Sequence, residues 1–139
     1  MQTLILLIVA MWALYTAYST QNYQGNQTPY YYMLEITWLP KDMCGWGNGY
    51  VVILDQSHPL FGEHYMGHQN EDGSYDWDSK LDHLYVHGGI TFSEYDEQRR
   101  GWVIGFDSAH WQDNQDNRSK EWCIEHTKEL LKQVNNFKD

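Results

Sequence analysis

Apolar side chains arrive along this chain in short runs separated by breaks rich in glycine, aspartate and asparagine. Tyr30–Leu39 is dense in aromatic and β-branched residues and is closed by Pro40, which is the composition of a strand. Tyr50–Leu54 is a compact apolar run and predicts a buried strand. Leu84–Phe92 and Trp102–Phe106 predict two more strands, the first with a kink or bulge at Gly88-Gly89. The charged link Ser93–Gly101 suits a hairpin-like pair. Gly45–Gly49 predicts a turn, Phe61–Tyr65 a brief helix or loop, and Gln69–Asp78 an exposed loop. Ser119–Val134 changes period: Cys123, Thr127, Leu130, Leu131 and Val134 fall on one helical face. Ser119 is a suitable N-cap, and Glu121 complements the positive end of the dipole. Strands followed by one terminal helix predict an α+β domain, a small antiparallel sheet covered by a C-terminal helix.

The sheet-forming region is preceded by an uncharged stretch. Residues 3–18 are almost wholly apolar, and no charged side chain occurs before Glu35. Three readings stand. A signal peptide has such a core, and Ala17-Tyr18-Ser19 resembles a small-x-small cleavage site. A membrane anchor needs roughly 18 or more apolar residues, and Trp12, Tyr15 and Tyr18 would sit at an interface. A buried element of the domain itself is the third. The predicted organisation is an apolar leader at 1–20, a polar linker at 21–29 and a single domain at 30–139, as expected for a chain of 139 residues. A signal or anchor places the protein outside or on the membrane; otherwise it belongs in the host cytoplasm.

Charge and cysteine usage narrow the partners. A formal net charge of -10 opposes binding to a nucleic-acid polymer, which needs clustered Lys and Arg. It suits cations, basic partners or small ligands. Cys44 and Cys123 are too few for a disulfide framework and lack zinc-motif pairing. One bridge is expected on export, and two buried thiols in a reducing compartment. Asn26-Gln27-Thr28 and Asn117-Arg118-Ser119 match the glycosylation sequon. No feature of the sequence fixes an oligomeric state.

The chemistry concentrates in two glycine-broken segments, Val86–Phe92 and Trp102–His110. Between them they carry His87, Thr91, Asp107 and His110, and two neighbouring strands would bring these to one rim. Gly88 and Gly89 let a backbone approach a ligand closely. Asp107 can orient His110, or both can hold one cation, with Asp113 close enough to join and Ser108 a conceivable nucleophile. The residues expected to act catalytically are His87, Asp107 and His110. Those expected to contact a ligand are Gly88, Gly89, Thr91 and Ser108. A divalent metal, if bound, falls to His87, Asp107, His110 and Asp113. His64 and His68 are spaced for one helix face, but Gly67 weakens a helix there and the His-Glu-x-x-His signature is absent. His87-Gly88-Gly89 is similar to an esterase oxyanion segment, but the Gly-x-Ser-x-Gly elbow is missing. His126, on the helix, reads as a packing or surface histidine.

Taken in order, Asn48-Gly49-Tyr50-Val51, His58-Pro59-Leu60, Val86-His87-Gly88-Gly89-Ile90-Thr91 and Gly105-Phe106-Asp107 with Ala109-His110 resemble a small uncharacterised family of phage and bacterial genomes. The resemblance runs from Cys44 to Val134. It implies kinship and a shared site, with no reaction attached. The expected function is a small-ligand or metal-binding module of a phage or bacterial accessory protein, sequestering a host metabolite or signal nucleotide. Two alternatives are a metal-dependent hydrolase using His87, Asp107 and His110, and an interaction domain anchored in a membrane through residues 3–18.

Overall fold

The computed structural model describes residues 29–139. The leader, the linker up to residue 28 and the Asn26 sequon lie outside the described residues. Strands β1 (Tyr30–Ile36), β2 (Gly47–Ile53), β5 (Phe92–Asp96) and β6 (Gly101–Phe106) form one sheet in the order β1-β2-β6-β5, every neighbouring pair antiparallel. Two two-residue strands, β3 (His68–Gln69) and β4 (Tyr75–Asp76), make a small separate hairpin. A 3-10 turn at Lys80–His83 is capped by Ser79, whose Oγ accepts from the Leu81 amide at 3.2 Å. Helix α1 (Lys120–Asn136) closes the domain, and Ser119 Oγ caps it by accepting from the Trp122 amide at 3.2 Å. The architecture is the α+β one expected, a small antiparallel sheet covered by the C-terminal helix.

Strand alternation decides where the core lies. Tyr32, Leu34, Val51, Ile53, Trp102, Ile104 and Phe106 point to one face and bury Cys123, Leu130 and Val134 of α1. Full burial of such aliphatic side chains contributes about 1.5–3 kcal/mol each. On the other face Met33, Val52 and Val103 form a smaller cluster flanked by Tyr31 and Tyr50. The central strand β6 is buried at all six positions. The edge strand β5 carries Glu94 and Asp96, charges that discourage pairing with another edge. Cys44 and Cys123 are both buried free thiols.

Four sequence expectations change. Gln69–Asp78 is exposed, as expected, but it is a hairpin rather than a loop, since Gln69 pairs with Tyr75. The Gly45–Gly49 turn is partly strand, because Gly47 pairs with Ile36 and Gly49 with Leu34. The helix requires it: a Cβ on Gly49 would overlap Thr127 Oγ1 and the Phe106 ring. Ser93–Gly101 is a strand and a turn, not merely a link, since Tyr95 lies across from Trp102 in the β5–β6 ladder. Leu84–Phe92 is not a strand before Phe92. Its backbone finds other partners. Gln133 of α1 clasps Tyr85, accepting from its amide at 2.7 Å and donating to its carbonyl at 2.9 Å. The His87 amide donates to His126 Nε2, also on α1, at 2.8 Å. Helix side chains therefore replace the ladder, and pairing with β6 resumes only where the Thr91 amide reaches the Gly105 carbonyl at 2.9 Å.

Gly49→Ala is expected to destabilise the domain by about 1–3 kcal/mol, because the added methyl overpacks a helix–sheet contact with no room to give. Urea unfolding checks this: the midpoint should fall with an unchanged m-value. An unchanged midpoint would show that α1 does not sit this close to β2.

Candidate functional site

The segment clasped to α1 ends in a turn, Val86–Gly89, closed by the Gly89 amide donating to the Val86 carbonyl at 3.0 Å. Gly88 takes its third position with φ 72°, the positive value that a type II turn demands there. A side chain at 88 is excluded twice over, since a Cβ would overlap the His110 ring. The glycine pair thus serves a turn and a close ring contact rather than a bulge. The turn presents His87 sideways, half-buried, its ring edge-on to Trp122 at 5.3 Å and to His110 at 5.1 Å.

The centre of the cluster is Asp113, whose side chain is only 2% exposed. Its carboxylate accepts from His87 Nε2 at 2.7 and 3.0 Å and from the His110 amide at 3.0 Å. Arg118 Nε lies 3.2 Å from Asp113 Oδ1. Arg118 Nε is also 3.4 Å from His87 Nε2, but the hydrogen that binds Asp113 occupies that nitrogen. Asp113 therefore takes the Nε2–H of His87 and fixes the orientation of its ring, with Nδ1 turned away from the carboxylate. His87 Nδ1 makes no hydrogen bond among the described residues. Burial pushes the Asp113 carboxyl upward. The His87 hydrogen bond, the His110 amide and the positive groups of His87 and Arg118 outweigh it, so its pKa lies below the ordinary carboxylate value.

A second pair lies alongside. Asp107 accepts from Thr91 Oγ1 at 2.8 Å and from the Ala109 amide at 3.0 Å. Its Oδ1 is 3.3 Å from His110 Nε2, an ion-pair distance without hydrogen-bond alignment, and that nitrogen is buried with no hydrogen bond of its own. His87, Thr91, Asp107, His110 and Asp113 thus share one rim, with Gly88 beneath the His110 ring. Gly89 shares the turn but has open space around it. Ser108 is not at the rim. It is buried, and its hydroxyl donates to the Gly47 carbonyl at 2.6 Å, which leaves it no role as a nucleophile there. The four residues expected to share a cation fall into a hydrogen-bonded pair, His87–Asp113, and an ion-pair contact, Asp107–His110, and among the described residues no group of three or more His, Cys, Asp or Glu is placed to hold a metal.

No family model, curated protein or solved structure matches the chain.

Three contributors escape a reading by sequence motif. Arg118, Trp122 and His126 recur at intervals of four and stack as one stripe at the start of α1. The Arg118 guanidinium lies 4.7 Å over the Trp122 ring, and Trp122 stacks on His126 at 4.6 Å. The i, i+4 spacing was the available signal. His126 packs as expected of a helix histidine, and it also holds the His87 amide. To accept that hydrogen it must be neutral at Nε2. Burial, then the charges of His87 and Arg118, lowers its pKa, with Glu129 opposing.

These shifts give pH dependences of known sign. His126 is harder to protonate in the fold than in the unfolded chain, so its contribution is present above about pH 6.5 and is lost as pH falls through its lowered pKa. Asp113 has a lowered carboxyl, so its contribution is present above about pH 3.9 and is lost only below that. The melting temperature should decline as pH drops below about 6.5, and less steeply in His126→Gln, whose amide oxygen still accepts from His87. Parallel profiles for the two proteins would sink the assignment of this loss to His126. Separately, Asp113→Asn should cost about 1–3 kcal/mol, because it sets an amide against donors where a charged acceptor stood.

Proposed function

We propose that the rim of His87, Thr91, Asp107 and His110 is the binding site of a small molecule, and that the protein is a ligand-binding accessory module. The observation that carries this reading is the His87–Asp113 pair. A buried carboxylate holds a partly exposed imidazole in one orientation, with its second ring nitrogen making no hydrogen bond within the described domain. Such preorganisation is costly to build for packing alone and suits a ligand contact. The Trp122 ring beside His87 and convergent polar groups supply the usual composition of a small-molecule site. Kinship with the phage and bacterial family belongs to the same proposal, since its motifs contain the rim residues.

Arg118 argues against a cation as the ligand of this cluster, because its guanidinium already neutralises Asp113. The metal-dependent hydrolase accordingly gives way to a second reading. His87, oriented by Asp113, acts as a general base that takes a proton from water or from the bound molecule at Nδ1.

A thermal-shift screen of metabolites, nucleotides and divalent cations tests both readings. A ligand at 100 times its dissociation constant stabilises by about 2.7 kcal/mol. The expected result is stabilisation by an organic compound in the wild type and its loss in His87→Ala. Stabilisation by a divalent cation alone, or a response unchanged by His87→Ala, would overturn the site. Turnover of the stabilising compound, abolished by His87→Ala, selects the general-base reading.

A further inference from the structure

Strand β6 is buried at all six positions, yet α1 covers only one face of the sheet. Alternation sends Trp102, Ile104 and Phe106 toward α1 and leaves Gly101, Val103 and Gly105 on the second face. There Val52 is 0% exposed, Val103 4% and Met33 8%. Side chains of the same face account for part of this. The Tyr50 ring lies over Gly105, and Leu54 and Val52 close on Gly101. Tyr31 and Tyr50 flank the apolar cluster and are themselves half-buried. Neighbours on one sheet shield the sides of a side chain, whereas its outward end is closed by a further layer. Among the described residues no helix or strand lies on this face.

The charges that border the face constrain what covers it. Arg99, its side chain 8% exposed, pairs with Asp96 at 2.7 Å and reaches Tyr31. Glu35 accepts from the Tyr50 hydroxyl at 2.7 Å. Glu94 stands exposed across from Val103. The centre thus calls for an uncharged apolar cover, and the acidic margin is repelled by the anionic surface of a bilayer. The chain carries such a cover. Residues 3–18 are almost wholly apolar and uncharged, and the chain outside the described residues ends at residue 28, beside the edge strand whose Tyr31 flanks the face. Four strands about 4.8 Å apart make a sheet roughly 14 Å wide. Residues 19–28, between the apolar run and β1, reach up to about 35 Å when extended. A tethered segment meets the face at an effective concentration on the order of millimolar, which favours it over a second copy.

We propose that the apolar segment of residues 3–18 docks on this second face of its own chain, over Met33, Val52 and Val103. The sheet is then the middle of three layers, with α1 on one side and the N-terminal segment on the other. A segment with the composition of a signal or an anchor is thereby retained as a layer of the domain, and its departure would bare three buried apolar side chains. The docking involves none of the rim residues.

The test uses the full chain, purified without detergent, with a nitroxide on the cysteine of Gln2→Cys and, separately, of Ala10→Cys. Cys44 and Cys123 are buried, and wild type treated with the same reagent gives their contribution. Paramagnetic broadening is read from valine and leucine methyl resonances. The expected result is that Val52 and Val103 lose more than half their intensity, while Leu130 and Val134, on the α1 side of the sheet, keep most of theirs. Dilution should leave this pattern unchanged. Gln2 lies outside the apolar run, so its label leaves the packed segment intact if the one at Ala10 displaces it. Intact Val52 and Val103 resonances with both labels overturn the docking, and so does equal broadening on the two faces. Broadening transferred to isotope-labelled chains that carry no nitroxide assigns the face to a second copy and overturns it. Loss of the broadening on adding phosphatidylcholine vesicles, or a chain that stays dispersed only in detergent, assigns the segment to a bilayer and overturns it as well.

Discussion

One buried negative charge organises this end of the molecule. Asp113 is 2% exposed, and a carboxylate removed from water in that way persists only if its lone pairs are filled. They are filled from three separate places in the chain: the turn at His87, the start of the loop at His110, and Arg118 just before the helix. The carboxylate is therefore a joint as well as a charge. It sets the distance between the end of β6, the Val86–Gly89 turn and the entry to α1. The stacked stripe of Arg118, Trp122 and His126 has its position because Arg118 is tied to Asp113 at one end and His126 to the His87 amide further along. Apolar packing between α1 and the sheet builds the domain, and the charge fixes its corner.

The fold was more legible in the sequence than the site. Aromatic and β-branched runs located β1, β2 and β6, and the apolar stripe of Ser119–Val134 located the helix, since each pattern answers to burial on one face. The errors fell where burial was not the deciding force. Leu84–Phe92 is apolar enough for a strand, but two polar side chains of α1 take up its backbone, and neither Gln133 nor His126 carries a local sign of that task. Gly47 and Gly49 read as turn residues because the sequence does not reveal that the β1 backbone lies against Gly47 and that the helix presses on Gly49.

At the rim, proximity along the chain served well for Asp107 and His110 and poorly for chemical role. Asp107 stands nearest His110 in sequence, but the buried orienting carboxylate is Asp113, and it acts on His87, 26 residues away. Ser108 lies between two rim residues yet faces inward, as alternation past the end of a buried strand requires. Arg118 carried no motif at all. Its part follows from the turn of chain that brings the residue before an N-cap against a loop, and that is a tertiary fact.

The strand order has a consequence for how the chain must fold. β6 sits between β2 and β5, and so β2 has only β1 beside it until a strand about 50 residues further along arrives. Its other covering element, α1, ends at Asn136, about 80 residues past Ile53. At roughly 5–20 residues per second, synthesis leaves the Val51–Ile53 segment without its complete helix cover for about 4–16 seconds. The first hairpin presents an unpaired edge until β6 arrives and a bare apolar face until the helix does, and the long closures needed to cover them slow folding. A chaperone that recognises extended apolar segments would meet the nascent protein in this window, before the corner around Asp113 can form.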